Sequence, residues 1–203
     1  MAAGRDINSI MAGWVDRGPW TYYDTLILAQ GTTFAATYSM YSTPIGAQDP
    51  YQTGNVVKTK LNTNMVRGNQ FPPPRCLVLM QVGWYFSSQM LKGDIDKFLD
   101  NCYLEFRIDD KIFWEGQPWQ FPAGFGLAGV TTASGTNVMT NGIPAPQFTR
   151  RYGGYSKYIA PLQQFSWVWN FPGTPPTLAT TGQGGSGMYA VSLLDGLTDR
   201  AVQ

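Results

Sequence analysis

The chain of 203 residues contains no histidine. Histidine is the usual general base at neutral pH and the commonest protein ligand for metal ions, so its absence excludes Ser-His-Asp and Cys-His sites. Serine and threonine therefore lack a base, and no GxSxG motif is present. We expect no catalytic residue, no cofactor and no metal ion, and we predict that the protein is not an enzyme.

Charged residues are scarce. They make up 13% of the chain, against about 25% in an average soluble protein. The net charge is +1 and the 14 Lys and Arg residues are scattered, with Arg150–Arg151 as the one adjacent basic pair. A nucleic-acid-binding protein gathers basic residues on one face. We therefore expect no direct nucleic-acid partner.

Cysteines and long apolar runs are also rare. Cys76 and Cys102 lie in apolar segments without CxxC spacing or metal-ligand neighbours. We expect two buried, reduced thiols, and a disulfide between neighbouring strands is the alternative. The N-terminus lacks the apolar core of a secretory signal, and no run approaches the roughly 18 apolar residues of a membrane span. We expect synthesis in a reducing host cytoplasm and no membrane partner.

Turn-forming residues and aromatic rings are plentiful. The chain has 23 Gly, 14 Pro and 14% aromatic residues, and they accompany many short segments in which apolar and polar residues alternate. This combination is typical of sandwiches and barrels, and long Gly/Pro loops favour Greek-key crossovers. We predict an all-β fold, a two-sheet antiparallel sandwich of jelly-roll type, with one short helix and an N-terminal arm.

The predicted elements follow from period-two alternation, and the helix follows from apolar spacing at i, i+3 and i+4. The helix is predicted over 92–101. Strands are predicted at 22–29, 33–41, 56–66, 76–86, 102–108, 112–114, 127–131, 147–151, 158–160, 165–171 and 188–194, the last closing near Asp195-Gly196. Residues 1–20 form the arm, and residues 21–203 form a single sandwich domain.

Segment 56–66 alternates cleanly. The pattern assigns Val57, Leu61 and Met65 to its dry face and Lys58 to its solvent face. A strand with one wet face is therefore expected here.

A β-hairpin is predicted around the polar turn at 109–111. A three-residue loop pairs Ile108 with Ile112 and Phe106 with Trp114, which keeps the apolar residues on one face. This register is the one we prefer.

Two groups of acidic residues suggest chemistry. Glu105 and Glu115 lie opposite each other in that register, at the separation of about 5 Å that a retaining glycosidase needs. Two exposed carboxylates are the simpler interpretation. Asp94, Asp96 and Asp100 suggest calcium, but an internal glycine and a bidentate glutamate are missing. A charged helix start explains them better.

Two aromatic groups suggest contacts. Phe165, Trp167, Trp169 and Phe171 share one strand face, which is either core or a sugar-stacking platform, with core preferred. The tryptophans of the arm either cover their own domain or dock on a neighbouring subunit. The candidate subunit contacts are Trp14, Trp20, Tyr22, Tyr23, Pro72, Pro73, Pro74 and Arg75.

Three segments, LEFRIDDKIFWEG, FPGTPPTL and VSLLDGLTDRAVQ, resemble jelly-roll structural proteins of bacteriophages and other virus particles. The likeness covers residues 71–203. It implies a virion component, a capsid shell or decoration protein, that works by self-assembly and by contacts with other virion proteins. Homo-oligomers are expected, with trimers favoured. A carbohydrate-binding module or tail adhesin with a glycan partner is the alternative, and a glycan hydrolase using Glu105 and Glu115 is the third.

Overall fold

A computed structural model describes residues 15–52, 56–86, 92–120, 128–131, 137–140, 150–151, 157–178 and 188–201. Within these ranges the chain forms eleven β-strands, one α-helix and one 3-10 turn. The strands are β1 (Val15–Leu28), β2 (Thr37–Met40), β3 (Leu77–Phe86), β4 (Tyr103–Ile108), β5 (Lys111–Gly116), β6 (Ala128–Thr131), β7 (Asn137–Thr140), β8 (Arg150–Arg151), β9 (Lys157–Ile159), β10 (Phe165–Asn170) and β11 (Met188–Ala201). The helix α1 covers Lys92–Asn101, and the 3-10 turn covers Pro118–Gln120.

Two antiparallel sheets pack face to face. The first has the order β1-β11-β3, with β8 and β9 both pairing with β3, and the second has the order β2-β10-β4-β5. The rings of Trp84 on β3 and Trp169 on β10 lie 6.5 Å apart, and Phe98 of α1 lies 5.0 Å from each. The predicted two-sheet antiparallel sandwich with one short helix is therefore confirmed.

The strand pairs are nested along the chain. Strand β1 pairs with β11 over its whole length, β2 pairs with β10, β3 pairs with β8 and β9, and β4 pairs with β5. The strands of the first half of the chain thus pair with later strands in reverse order, as one long antiparallel ribbon. The ribbon folds over so that β11 also pairs with β3 and β10 also pairs with β4.

The alternating sequence of β10 determines which of its side chains enter the core. Phe165, Trp167, Trp169 and Phe171 are all buried, which confirms that this aromatic face is core and removes it as a sugar platform. Phe98 of α1 is buried against it, as the helical spacing predicts. These rings pack mostly edge to face or tilted, the geometry that aromatic quadrupoles favour.

The N-terminal boundary of the sandwich differs from the prediction. Strand β1 begins at Val15, so residues 15–20 of the predicted arm belong to a sheet, and residues 1–14 lie outside the described residues. The physical reason lies in its partner, because β11 continues beyond the predicted turn to Ala201 and gives these residues a ladder.

The predicted turn at Asp195-Gly196 is instead a shift in register between β11 and β3. A Cβ on Gly196 would lie 2.1 Å from the carbonyl oxygen of Val78, so only glycine lets the two strands approach this closely. Glycine here continues the strand as a bulge and does not end it.

Segment 56–66 contains isolated bridges and turns, with no regular strand in it. The predicted dry and solvent-facing sides of the segment are also partly reversed, since Lys58 is buried while Val57 and Leu61 are exposed. The cause is electrostatic, because the ammonium of Lys58 lies 2.7 Å from a carboxylate oxygen of buried Asp24. Burial of Met65 agrees with the prediction.

The hairpin has a two-residue turn where we predicted three residues. Phe106 pairs with Trp114 as expected, but Ile108 pairs with Lys111, because the register shifts between these two pairs. As a result, Ile112 is exposed.

Most other predicted strands are present with shifted ends. The predicted strand 33–41 shortens to β2, and 147–151 corresponds to β8, with residues 147–149 outside the described residues. Strand β7 lies between the predicted strands 127–131 and 147–151, where we predicted no strand. Together, β6 and β7 form a separate two-stranded sheet.

Candidate functional site

A surface groove of about 460 Å³ lies beside β1 and β11 on the outer side of the first sheet. Its residues come from three segments that are far apart in sequence. They are Pro19, Trp20, Thr21, Tyr23, Asn64 and Asp195.

The carboxylate of Asp195 is held in the groove by two neighbours. Thr21 lies directly opposite on β1 and donates a hydrogen bond to Oδ1 at 2.7 Å. The amide Nε2 of Gln81 donates to Oδ2 at 2.5 Å. The bulge at Gly196 directly follows Asp195, and bulges commonly redirect adjacent side chains. The carboxylate therefore has a defined position.

The amide of Asn64 is held equally firmly against the edge of β1. The backbone N–H of Tyr23 donates to Oδ1 at 3.0 Å, and Nδ2 donates to the carbonyl oxygen of Thr21 at 2.8 Å. The hydroxyl of Tyr23 in turn donates to the carbonyl oxygen of Lys60. The side chain of Trp20 remains 38% exposed. The groove thus contains two polar side chains, Asn64 and Asp195, in defined positions.

A buried ion pair underlies segment 56–66. Besides Lys58, the carboxylate of Asp24 accepts a hydrogen bond from the backbone N–H of Tyr41 at 2.7 Å. A second buried carboxylate, Asp49, lies 3.9 Å from the same ammonium. Burial raises the pKa of Asp24, and Lys58 opposes that rise. This network fixes the segment to the sandwich.

A second ionic cluster joins the ends of β1 and β11. Arg17 binds buried Asp199 through two nitrogens at 2.7 and 3.2 Å, and the thiol of Cys76 donates to the same carboxylate at 3.1 Å. The hydrogen bond from Arg17 lowers the pKa of Asp199 and raises the pKa of Arg17 itself. The outermost part of the ribbon is therefore held by charge as well as by its backbone ladder.

Both cysteines are buried and unbridged, as we predicted. Burial raises the pKa of Cys76 to about 11, and it raises the pKa of Cys102 further. Since the thiolate is the reactive form, neither thiol is suited to act as a nucleophile at neutral pH.

Glu105 and Glu115 lie opposite each other on the hairpin, as predicted. However, Oε2 of Glu105 accepts from Arg107 at 2.9 Å, and Oε1 accepts from the amide of Asn170 at 2.9 Å. Its carboxylate therefore ties β4 to β10, which is a structural role.

Of the acidic residues near α1, Asp94 is placed as a charged helix start, whereas Asp100 lies in the last turn of the helix. Asp94 lies in the first turn of the helix, and its carboxylate accepts from Lys97 at 2.9 Å. In the part of the chain that the structure describes, no group of three or more Cys, Asp or Glu residues is arranged to hold a metal ion.

The candidate subunit contacts differ in their exposure. Tyr22 is only 2% exposed and packs on Phe71 at a ring distance of 4.4 Å, so it belongs to the core of its own subunit. Pro73 and Pro74 are exposed. Pro72 and Arg75 are half-buried, Trp20 and Tyr23 line the groove, and Trp14 lies outside the described residues.

Exposed apolar side chains gather in segment 56–66, which sequence reasoning did not single out as a contact. Leu61 is 83% exposed, and Val56, Val57 and Val66 are also exposed. We call these four side chains the loop surface. The buried ion pair of Lys58 presents them on a fixed backbone.

The described residues define a two-sheet antiparallel β-sandwich protein. No protein-family model, no curated protein and no solved structure matches this chain. None of the helical residues that the structure describes forms a helix long and apolar enough to cross a membrane.

Proposed function

We propose that this protein is a structural component of a virus particle, in its capsid shell or as a decoration on it. It acts by self-assembly into homo-oligomers and by contacts with other virion proteins, and it has no catalytic role. The nested order of strand pairs carries this proposal.

The nesting is what a jelly roll produces. If β8 and β9 count as one interrupted strand, the two sheets contain eight strands that pair first with last, second with seventh, third with sixth and fourth with fifth. Jelly rolls of eight strands are found in viral capsid proteins, lectins and cupins. The step from fold to role is an analogy, and the three segments that resemble virion proteins favour the capsid class.

The loop surface supports a role in assembly. Monomeric proteins rarely expose large contiguous apolar patches, and such patches are typical of contacts between proteins. Here Leu61 and the three exposed valines of the same segment stand on a backbone fixed by Lys58 and Asp24. A preformed contact costs less entropy when it binds. We propose the loop surface as a subunit contact, together with the exposed Pro73 and Pro74.

The proposed connecting arm is shorter than residues 1–20. Residues 15–20 belong to β1, and Arg17 neutralises the buried carboxylate of Asp199. We therefore assign the connecting role to residues 1–14, with Trp14 as the candidate anchor. Trp20 and Tyr23 line a groove and are left out of the proposed contacts.

The test combines electron microscopy of the purified protein with its mass by light scattering. We expect closed rings, with trimers favoured, or shells. Replacing an interface anchor typically costs about 2 kcal/mol, a roughly thirtyfold loss of affinity per contact. Leu61→Asp and deletion of residues 1–14 should each shift the protein toward monomers while circular dichroism stays unchanged.

Ile112→Asp is the matched control, because Ile112 is an exposed aliphatic residue on β5, in the second sheet and outside the proposed contacts. It should assemble like the parent. A parent protein that stays monomeric at high concentration and is absent from particles would refute the proposal. Normal assembly of both Leu61→Asp and the deletion would refute the assigned contacts.

A further inference from the structure

We propose that the side chains of Lys58 and Asp24 become joined by an amide bond, which the folded chain forms by itself. The nitrogen Nζ of Lys58 lies 2.7 Å from Oδ1 of Asp24. The bond connects β1 covalently to segment 56–66. This inference goes beyond assembly, because it assigns a covalent modification. The reaction takes place once in each chain and turns over no substrate.

The two side chains meet in a site that excludes water. They are 4% and 1% exposed, and the carboxylate of Asp49 beside them is fully buried. Condensation of an amine with a carboxyl group releases water, and a closed site keeps out the water that would compete with it. Holding the two groups together also removes the entropy cost of bringing them into contact. A buried ion pair alone has these properties, so the case depends on the groups around it.

The carboxyl group of Asp24 is oriented for attack at its carbon Cγ. Lys58 contacts Oδ1, and the backbone N–H of Tyr41 donates to the other oxygen, Oδ2, at 2.7 Å. When nitrogen adds to Cγ, negative charge develops on oxygen, and a fixed N–H donor at this distance stabilises that charge. Oδ1 thus becomes the oxygen of the leaving water, and Oδ2 becomes the carbonyl oxygen of the amide.

Asp49 supplies the proton carrier that the reaction needs. Its Oδ2 lies 3.9 Å from Nζ of Lys58. The backbone N–H of Tyr51 donates to Oδ1 of Asp49 at 3.0 Å, and the amide of Gln52 donates to Oδ2 at 3.2 Å, so the carboxylate has a defined position. A positioned carboxylate near the reacting nitrogen can accept its proton and pass it to the departing group. One buried cation needs only one carboxylate for neutrality, and this role explains the second.

The reaction balances without an oxidant or a cofactor. The ammonium of Lys58 first passes one proton to Asp24, which leaves a neutral amine and a neutral carboxyl group. Burial raises the pKa of Asp24 and so favours its protonated form. The amine nitrogen then bonds to Cγ, the bond between Cγ and Oδ1 breaks, and Asp49 moves a proton from the nitrogen to the leaving oxygen. The products are one amide and one water molecule, and Asp49 is again a carboxylate.

The experiment measures the intact mass of the full-length purified protein under denaturing conditions. We expect the mass of the sequence less one water molecule, and a branched proteolytic peptide that joins Asp24 to Lys58. Lys58→Arg keeps the positive charge, but its guanidinium stays protonated and is no nucleophile, so this variant should keep its full mass. Asp49→Asn should slow the loss of water by about a hundredfold in a time course after cell-free synthesis.

Lys60→Arg is the matched control, because Lys60 is an exposed lysine in the same segment. It should lose one water molecule like the parent, and circular dichroism checks that each variant folds. The branched peptide of the parent decides the question even if Lys58→Arg does not fold.

Three results would overturn the proposal: full mass of the folded parent after prolonged incubation, loss of water in folded Lys58→Arg, or a branched peptide without Asp24. Assembly is scored separately, so the capsid proposal can stand or fall independently. Chains in which the bond has not yet formed keep the ion pair, and intact mass distinguishes the two forms before any measurement of stability.

Discussion

Replacing Lys58 by methionine should destabilise the protein strongly. The side chain of Lys58 is 4% exposed, and its ammonium lies 2.7 Å from Asp24 and 3.9 Å from Asp49. Methionine keeps the length of the side chain and removes only the charge and the donors. Two buried carboxylates then lose their cation.

The expected cost follows from the geometry. Removing one partner of a buried ion pair typically costs about 3–5 kcal/mol, because the other charge stays buried without compensation. The N–H of Tyr41 still donates to Asp24 in the variant, so we expect about 3 kcal/mol at pH 7. The double variant Lys58→Met/Asp24→Asn also removes the charge of the nearer carboxylate, so it should recover part of the loss, with Asp49 still charged.

The pH dependence gives a second readout with a defined sign. Burial already raises the pKa of Asp24, and loss of Lys58 should raise it further. A carboxyl group with a raised pKa binds its proton more tightly in the folded state than in the unfolded state. The free energy of unfolding therefore increases as pH falls from that raised pKa toward about 4, the pKa of an aspartate in the unfolded chain. The difference in free energy of unfolding between the parent and Lys58→Met should therefore be smaller at pH 5 than at pH 7.

Urea denaturation followed by tryptophan fluorescence measures these free energies of unfolding from the midpoint and slope. Lys60→Met is the matched control, because Lys60 is an exposed lysine in the same segment, and it should change stability by less than about 0.5 kcal/mol. The prediction is wrong if Lys58→Met loses no more stability than Lys60→Met, or if its loss of stability is the same at pH 7 and pH 5.

Three further outcomes are expected. Gly196→Ala should lower the free energy of unfolding by about 3 kcal/mol, near the upper end for overpacking. The reason is that the new Cβ would lie 2.1 Å from a carbonyl oxygen of β3. An unchanged melting temperature would contradict this. Cys76 and Cys102 should label slowly at pH 8 in the native state and give two equivalents after denaturation, whereas fast native labelling would show accessible thiols. Arg17→Met should cost about 2 kcal/mol at pH 7, below the figure for a fully buried pair because Arg17 is 23% exposed. Since Arg17 lowers the pKa of Asp199, that stability is present above the usual aspartate pKa of about 4 and is lost as pH falls through the lowered pKa, so the difference in free energy of unfolding between Arg17→Met and the parent should be smaller at pH 3 than at pH 7.

Regular alternation predicted much of the fold. Strand β10 lies where the pattern Phe165, Trp167, Trp169, Phe171 indicated it, and these four rings form the core as preferred. Burial of apolar side chains imposes this pattern locally, so neighbouring residues suffice to detect it.

Features that depend on contacts distant in sequence were not predictable. Lys58 alternates like a solvent-facing residue, and only the buried Asp24 on β1 explains its inward position. Gly196 looked like a turn because a glycine that ends a strand and one that permits a bulge have the same local sequence. Asn64 and Asp195 line the same groove, and no local pattern indicates that two residues so far apart in the chain do so.

The pairing of β1 with β11 also determines where attachments emerge. Val15 lies opposite Ala201, so both ends of the folded ribbon leave the sandwich side by side. A peptide fused to either end would start from the same point on each subunit. Two different peptides attached at these two positions would therefore lie beside each other on every copy of the protein.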